Sequence, residues 1–195
     1  MNKAEKTKQF IVEKTAPIFN VKGYAGTSLS DMTAATGLTK GSIYGNFTNK
    51  DEVALAAFDF NLHKVQRIIK GEMDRHIAIK DKLLVYINVY ENFLKFPFPD
   101  GGCPILNTAT EADDTHPMLK KKVADAINAW KNSITKLIEK GIASGELSVV
   151  NDAEQTAITI IAMIEGAIMI AKVTGKMNYR NAVMRSVENL INGLG

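Results

Sequence analysis

The stretch Thr27–Lys50, TSLSDMTAATGLTKGSIYGNFTNK, decides the fold of this chain. Leu29, Met32 and Ala35 fall three apart and lay an apolar stripe along one helical face. Ser28 or Thr27 stands just ahead, where a hydroxyl can accept from the free N–H groups of a first turn. Gly37 ends the pattern as the residue that enters the left-handed conformation most cheaply. Leu38 supplies a buried elbow, and Thr39 caps a second short helix, in which Ile43 and Phe47 point inward. Lys40, Ser42, Tyr44 and Asn46 are left on its outer face. Two helices joined by so tight a turn make a helix-turn-helix, whose second helix can enter a DNA major groove.

The sequence upstream reads as one helix over 3–22, with Phe10, Ile11, Thr15, Ile18 and Phe19 on one side. Pro17 removes a backbone hydrogen bond there and predicts a bend near 13–17 or a helix irregular at that point. Downstream, everything is helical. Asn49 or Thr48 caps a helix over about 50–75; Leu83, Ile87, Tyr90 and Leu94 mark another over about 80–95. Phe96–Gly102 is the clearest loop, followed by a short helix over Cys103–Ala112. Thr115 or Asp114 then caps a helix over about 117–144. The last helices cover about 152–174 and 178–193. The expected class is all-α, about nine helices. Residues 1–50 are expected to form the helix-turn-helix head and 51–195 a helical body.

Bulk composition agrees with a globular chain: 195 residues, 46% hydrophobic and 23% charged. Charge is unevenly spread. Residues 1–50 hold seven lysines against Glu5, Glu13 and Asp31, a local charge of +4, so the whole-chain +3 leaves −1 for the remainder. A basic head on a near-neutral body suits nucleic acid. Cys103 is the only cysteine, which excludes an intrachain disulfide and suits a reducing compartment. Charges recur through the first fourteen residues, unlike an apolar signal segment, and the apolar run Ala157–Ala171 is short for a bilayer and contains Glu165. A cytoplasmic protein without membrane contact is expected.

The run 157–171 is apolar nearly all round and must be covered on more than one side. Pairing the last two helices with those of a second copy makes a four-helix bundle, with Ile161, Ile164, Ile168, Val183, Val187, Leu190 and Ile191 as the expected interface. A two-fold homodimer sets two recognition helices about 34–36 Å apart, one helical turn of DNA.

Seventeen positions (Phe19, Gly23, Tyr24, Thr27, Ser28, Leu29, Asp31, Gly37, Leu38, Thr39, Lys40, Gly41, Ser42, Ile43, Tyr44, Phe47 and Lys50) resemble the TetR family of bacterial transcription regulators in spacing and residue type. The specific part covers about residues 10–60; beyond that the likeness rests on helix count and length. It implies a DNA-binding head, a helical ligand-binding and dimerising body, and repression of a palindromic operator relieved by a small molecule. The chain departs from the family at Thr33, Thr36 and Asn46, and Gly45 within the recognition helix costs about 1 kcal/mol relative to alanine. By reach and chemistry, Lys40, Ser42 and Asn46 are the base-edge candidates, and asparagine can pair bidentately with adenine. Thr27, Thr39, Tyr44 and Lys50 are the phosphate candidates.

An effector pocket is expected among the helices of 50–174, with Tyr90, Phe93, Cys103, Asn107, Glu111, Trp130 and Met163 as lining candidates. Glu111, Asp113, Asp114 and His116 are the residue types of a metal site, but they read as a solvated helix end with a cap, and no metal or cofactor is expected. Nothing resembles a nucleophile with its base or a phosphate-binding glycine loop, so catalysis is not expected. Two rival readings keep parts of this pattern: a constitutive DNA binder without ligand, and an all-helical enzyme with an incidental helix-turn-helix.

Overall fold

A computed structural model describes residues 2–92, 95–149 and 152–195. Among these it holds nine helices and no strand: α1 (Lys3–Gly26), α2 (Leu29–Thr36), α3 (Lys40–Tyr44), α4 (Lys50–Met73), α5 (Ile79–Glu91), α6 (Pro104–Thr115), α7 (Pro117–Ala143), α8 (Ala153–Thr174) and α9 (Met177–Asn192). Contacts divide the chain into two compact units, Met1–Gln66 with Phe98–Ala124, and Arg67–Pro97 with Asp125–Gly195.

In the first unit α1, α2, α3 and the start of α4 close over one core of Ile11, Val12, Ala16, Phe19, Met32, Ile43, Phe47, Val53, Ala54 and Ala57. Its helix ends are set by local chemistry. Ser28 and Asp31 form a reciprocal capping box at α2, and Gly37 closes that helix at φ 68°. Asn49 accepts from the Glu52 N–H at 2.9 Å, while Glu52 accepts from the Thr48 N–H at 2.7 Å. The expected bend at Pro17 is not where α1 breaks: the only non-helical angles inside it are at Gly23 (φ 74°, ψ 179°). Glu13, whose carbonyl loses its partner at Pro17, lies on the exposed face where water can satisfy it.

Three polar side chains inside this unit bind backbone carbonyls across helices. Asn61 of α4 donates to the Ala16 carbonyl at 2.8 Å. Asn20 of α1 donates to the carbonyls of Asp100 and Gly102 at 2.6 and 3.0 Å. Asn107 of α6 returns the contact, donating to the carbonyls of Asn20 and Gly101 at 3.0 and 2.9 Å. The loop before α6 is thereby fixed on α1. The start of α7 is capped by His116, not by Thr115 or Asp114 as expected, because Thr115 still belongs to α6 and its hydroxyl turns back to the Glu111 carbonyl.

The second unit packs α8 on α9 and both on α5. α5 has no cap from its own Ala78; Glu146 supplies one, accepting from the Lys80 N–H at 2.8 Å. Backbone N–H donors at Ile79 and Lys80 hold the Glu146 carboxyl below its usual range. The apolar run of the penultimate helix lies in a helix of 22 residues, so by length and composition α8 can cross a bilayer. Within this unit its stripe Ala157, Ile160, Ile161, Ile164, Ala167, Ile168 and Ala171 is buried in helix packing.

Candidate nucleic-acid interface

The surface built by α2 and α3 follows from what the core takes away. Ile43 and Phe47 are withdrawn into it, and Thr39 starts α3 by accepting from the Ser42 N–H at 3.2 Å. Five residues make α3, ending at Tyr44, so Gly45 is its C-cap (φ −77°, ψ −17°) and not an interior position. Lys40, Gly41 and Gly45 are exposed; Ser42, Tyr44, Asn46 and Lys50 are half-buried. Tyr44 packs its ring against the core, and Lys50 lies 4.3 Å above the ring centre of Tyr24.

Thr27 is placed differently from a phosphate contact. It is 0% exposed, and its hydroxyl donates to the Gly23 carbonyl at 2.7 Å. It closes α1 from within. Asn46 also turns inward, donating from Nδ2 to the Ser42 carbonyl at 2.9 Å.

Two lysines of the head are tied to carboxylates. Lys8 meets Glu52 at 2.7 Å and Lys22 meets Asp31 at 2.6 Å. The Lys8 ammonium, with the Thr48 N–H, lowers the Glu52 carboxyl to about 2. Lys22, with the amide and hydroxyl of Ser28, holds Asp31 well below the usual carboxylate range. Lys40 has neither ion pair nor hydrogen bond among the described residues.

Behind this surface, the end of α1 is held by residues far along the chain. Gly23 turns the N–H groups of Tyr24 and Ala25 toward the Glu111 carboxylate, at 2.6 and 2.7 Å, an anion-binding nest of backbone donors. The Tyr24 hydroxyl donates to Asp51, which keeps its proton in place and raises its pKa to about 12. Its ring meets His116 edge-on, centroids 4.6 Å apart. His116 is buried and accepts at Nδ1 from the Leu119 N–H, which leaves Nε2 3.8 Å from Asp51. A small cleft lies beside this cluster, lined by Phe19, Asn20, Tyr24, Phe58, Thr108, Glu111 and neighbours. The sequence marks Tyr24 only as one of the positions that resemble the family, and it gives Asn20 and Asn61 no role; the one available signal is an asparagine on the inward side of each helix.

The effector candidates are dispersed. Cys103, Asn107 and Glu111 belong to the first unit, where Cys103 is buried and the other two make the internal bonds described. Tyr90, Trp130 and Met163 belong to the second. Tyr90 and Trp130 stack at 5.3 Å with rings 17° apart, and Tyr86 tilts against the same indole at 5.9 Å. The buried Trp130 Nε1–H finds no acceptor among the described residues. Phe93 lies outside the described residues. Of the expected interface residues, Ile161, Ile164, Ile168, Val187 and Ile191 are buried within a single chain, while Val183 and Leu190 are half-buried. On these two helices the large apolar side chains in solvent are Ile158, Met169, Ile170 and Val173 of α8 and Met177 and Tyr179 of α9.

Residues 11–57 match the family model for bacterial regulatory proteins of the tetR family, and residues 80–187 match the tetracyclin repressor-like C-terminal domain. A TetR-family transcriptional regulator from Cytophaga hutchinsonii is 48% identical in sequence, with a TM-score of 0.96 over 100% of this chain and 97% of that one. The HTH-type transcriptional repressor DhaR of Mycobacterium sp. (strain GP1) is 26% identical over 168 residues, 85% of this chain and 82% of the relative. FadR of Bacillus subtilis, solved in complex with stearoyl-CoA, shares the fold at TM-score 0.73 and 19% identity, over 96% of this chain and 99% of that one. The two matched models together cover most of the nine helices, and the chain belongs to the TetR family of helix-turn-helix transcriptional regulators, which are not enzymes.

Proposed function

We propose that this regulator is a cytoplasmic, homodimeric, ligand-responsive repressor of a palindromic operator. The observation that carries the reading is the form of α3: Ile43 and Phe47 anchor it while Lys40, Gly41 and Gly45 stand in solvent. Residues 1–50 act as the DNA-binding domain and 51–195 as the effector and dimerisation domain. Thr39 at the N-cap of α3, Tyr44 at its last position and Lys50 at the start of α4 offer hydroxyls and a cation suited to phosphate oxygens. Repression agrees with the relative DhaR, and a bound effector with the acyl-CoA complex of FadR.

For the effector, the stacked Tyr90 and Trp130 with the half-buried Met163 form the favoured wall. The indole N–H of Trp130 is a buried donor that an acceptor on the ligand can complete. Effector binding repositions α4, whose first turn carries Lys50. A hundredfold preference of the ligand for the DNA-incompetent state corresponds to about 2.7 kcal/mol of coupling. The dimer forms through α8 and α9, where exposed Ile158, Met169, Ile170 and Val173 make an apolar surface on a soluble fold. A Cβ placed on Gly166 meets nothing within 4 Å, so a partner helix can approach closely there.

Enrichment of bound fragments from the source genome tests the reading. A two-fold symmetric motif upstream of a gene supports it; random fragments overturn it. A thermal-shift screen of acyl-CoA thioesters and planar aromatic acids on the purified protein separates ligand-responsive from constitutive binding.

A further inference from the structure

We infer that Lys40 of α3 reads guanine, while Asn46 serves as a helix cap and reads no base. This rests on the reading of α3 as the recognition helix.

The hydrogen bonds at the end of α3 carry the argument. In a continued α-helix the Asn46 N–H would donate to the Ser42 carbonyl, four residues back. It donates instead to Ile43, three back, at 3.0 Å, and the Phe47 N–H takes the same carbonyl at 3.1 Å. Ser42 is thus left with a carbonyl that its own helix does not satisfy, and the Asn46 side chain supplies the missing donor at 2.9 Å. Bidentate reading of adenine requires the asparagine amide flat against the base edge, as donor to N7 and acceptor from N6. Turning the half-buried Asn46 amide outward breaks its bond and strands the Ser42 carbonyl.

The other outward positions narrow the choice. Gly41 and Gly45 present backbone only, and Tyr44 lies against the core. Lys40 is exposed, and among the described residues no carboxylate engages its ammonium, unlike those of Lys8 and Lys22. An ammonium has three donors and no acceptor. In the major groove only guanine offers two acceptors, O6 and N7, side by side; adenine and cytosine present an amino group that repels a donor. The two bare glycines, one directly after Lys40 and one past the helix end, let the backbone sit close enough for the ammonium to reach the base edge.

The test is selection of bound duplexes from a random library by the full-length protein, without added ligand, for the wild type, Lys40→Met and Asn46→Ala. The wild type should fix a guanine in each half-site. Lys40→Met should flatten that position, with a loss of discrimination of roughly tenfold, and leave the rest of the motif. Replacing that guanine by 7-deazaguanine should weaken the wild type and leave Lys40→Met unaffected, a comparison that needs no folding assumption for the wild type. Asn46→Ala should weaken binding evenly across sequences with an unchanged motif. A motif untouched by Lys40→Met, or an adenine lost in Asn46→Ala, overturns the inference while sparing the recognition-helix reading. If the wild type enriches no motif at all, both fall.

Discussion

Gly23 and Glu111 are fitted to one another. A Cβ on residue 23 would stand 2.4 Å from Glu111 Oε2, so the carboxylate occupies the space that a side chain would claim. The same glycine adopts φ 74°, ψ 179°, angles open to glycine alone, and these aim the next two N–H groups at that carboxylate. One residue therefore supplies both the donors and the room.

Gly23→Ala should destabilise the protein by about 1–3 kcal/mol through its backbone angle, with an added loss from displacing the carboxylate. Urea denaturation of this variant and of Gly23→Ala/Glu111→Ala separates the contributions. Recovery in the double variant measures the collision; no recovery assigns the whole loss to the backbone. Unchanged stability in Gly23→Ala would mean that the nest is not formed.

Glu111→Gln keeps the shape but replaces one acceptor oxygen by a donor facing a backbone N–H. A loss of about 1–3 kcal/mol is expected. Amide exchange should speed up at Tyr24 and Ala25 in particular. Protection at those two amides equal to the wild type would sink the assignment.

Two groups in the head give opposite pH signatures. Glu52 is lowered from its ordinary 4.5 to about 2, chiefly by Lys8, so its contribution is full above about 4.5 and disappears as pH falls through 2. Tyr24 is raised from 10.0 to about 12, chiefly by its hydrogen bond to Asp51. Its contribution is full below 10 and disappears as pH rises through 12. Phenol absorbance should show Tyr24 titrating late together with Tyr86, which burial also raises, and Asp51→Asn should return Tyr24 alone toward 10. Carboxyl NMR should show Glu52 moving up in Lys8→Ala.

Ile158→Glu combined with Val173→Glu places charge on the exposed face of α8 without entering the core of the chain. Sedimentation should show a folded monomer. Ile164→Glu, in contrast, should cost folding itself, because Ile164 is fully buried within the chain. A persistent dimer in the first variant would move the interface to another surface.

How far the sequence could be read depended on the reach of each interaction. Ser28, Gly37, Thr39 and Asn49 act on partners three or four residues away, and local pattern was enough to place them. The Glu111 nest joins positions 87 apart, and nothing in either stretch points to the other. His116 looked like a possible ligand or a surface residue because capping by imidazole has no local signature. The apolar stripe of α8 was plain, but periodicity does not say which helix covers it; α8 packs on α9 and α5 of the same chain, and Ile161, Ile164 and Ile168 are buried there. Asn46 showed as an outward residue only on the assumption that α3 continued past Gly45. The chain turns there, and the side chain turns with it.

The stacking of Trp130 on Tyr90 gives the molecule a natural optical tag. It is the only tryptophan in the chain, and it belongs to the second compact unit. The first unit contains Tyr24 and Tyr44 and no indole. Indole emission therefore follows the melting of the second unit alone, while circular dichroism follows all the helices. Coincident transitions by the two probes would make the chain one cooperative fold; separated ones would yield a stability for each unit without cutting or labelling it.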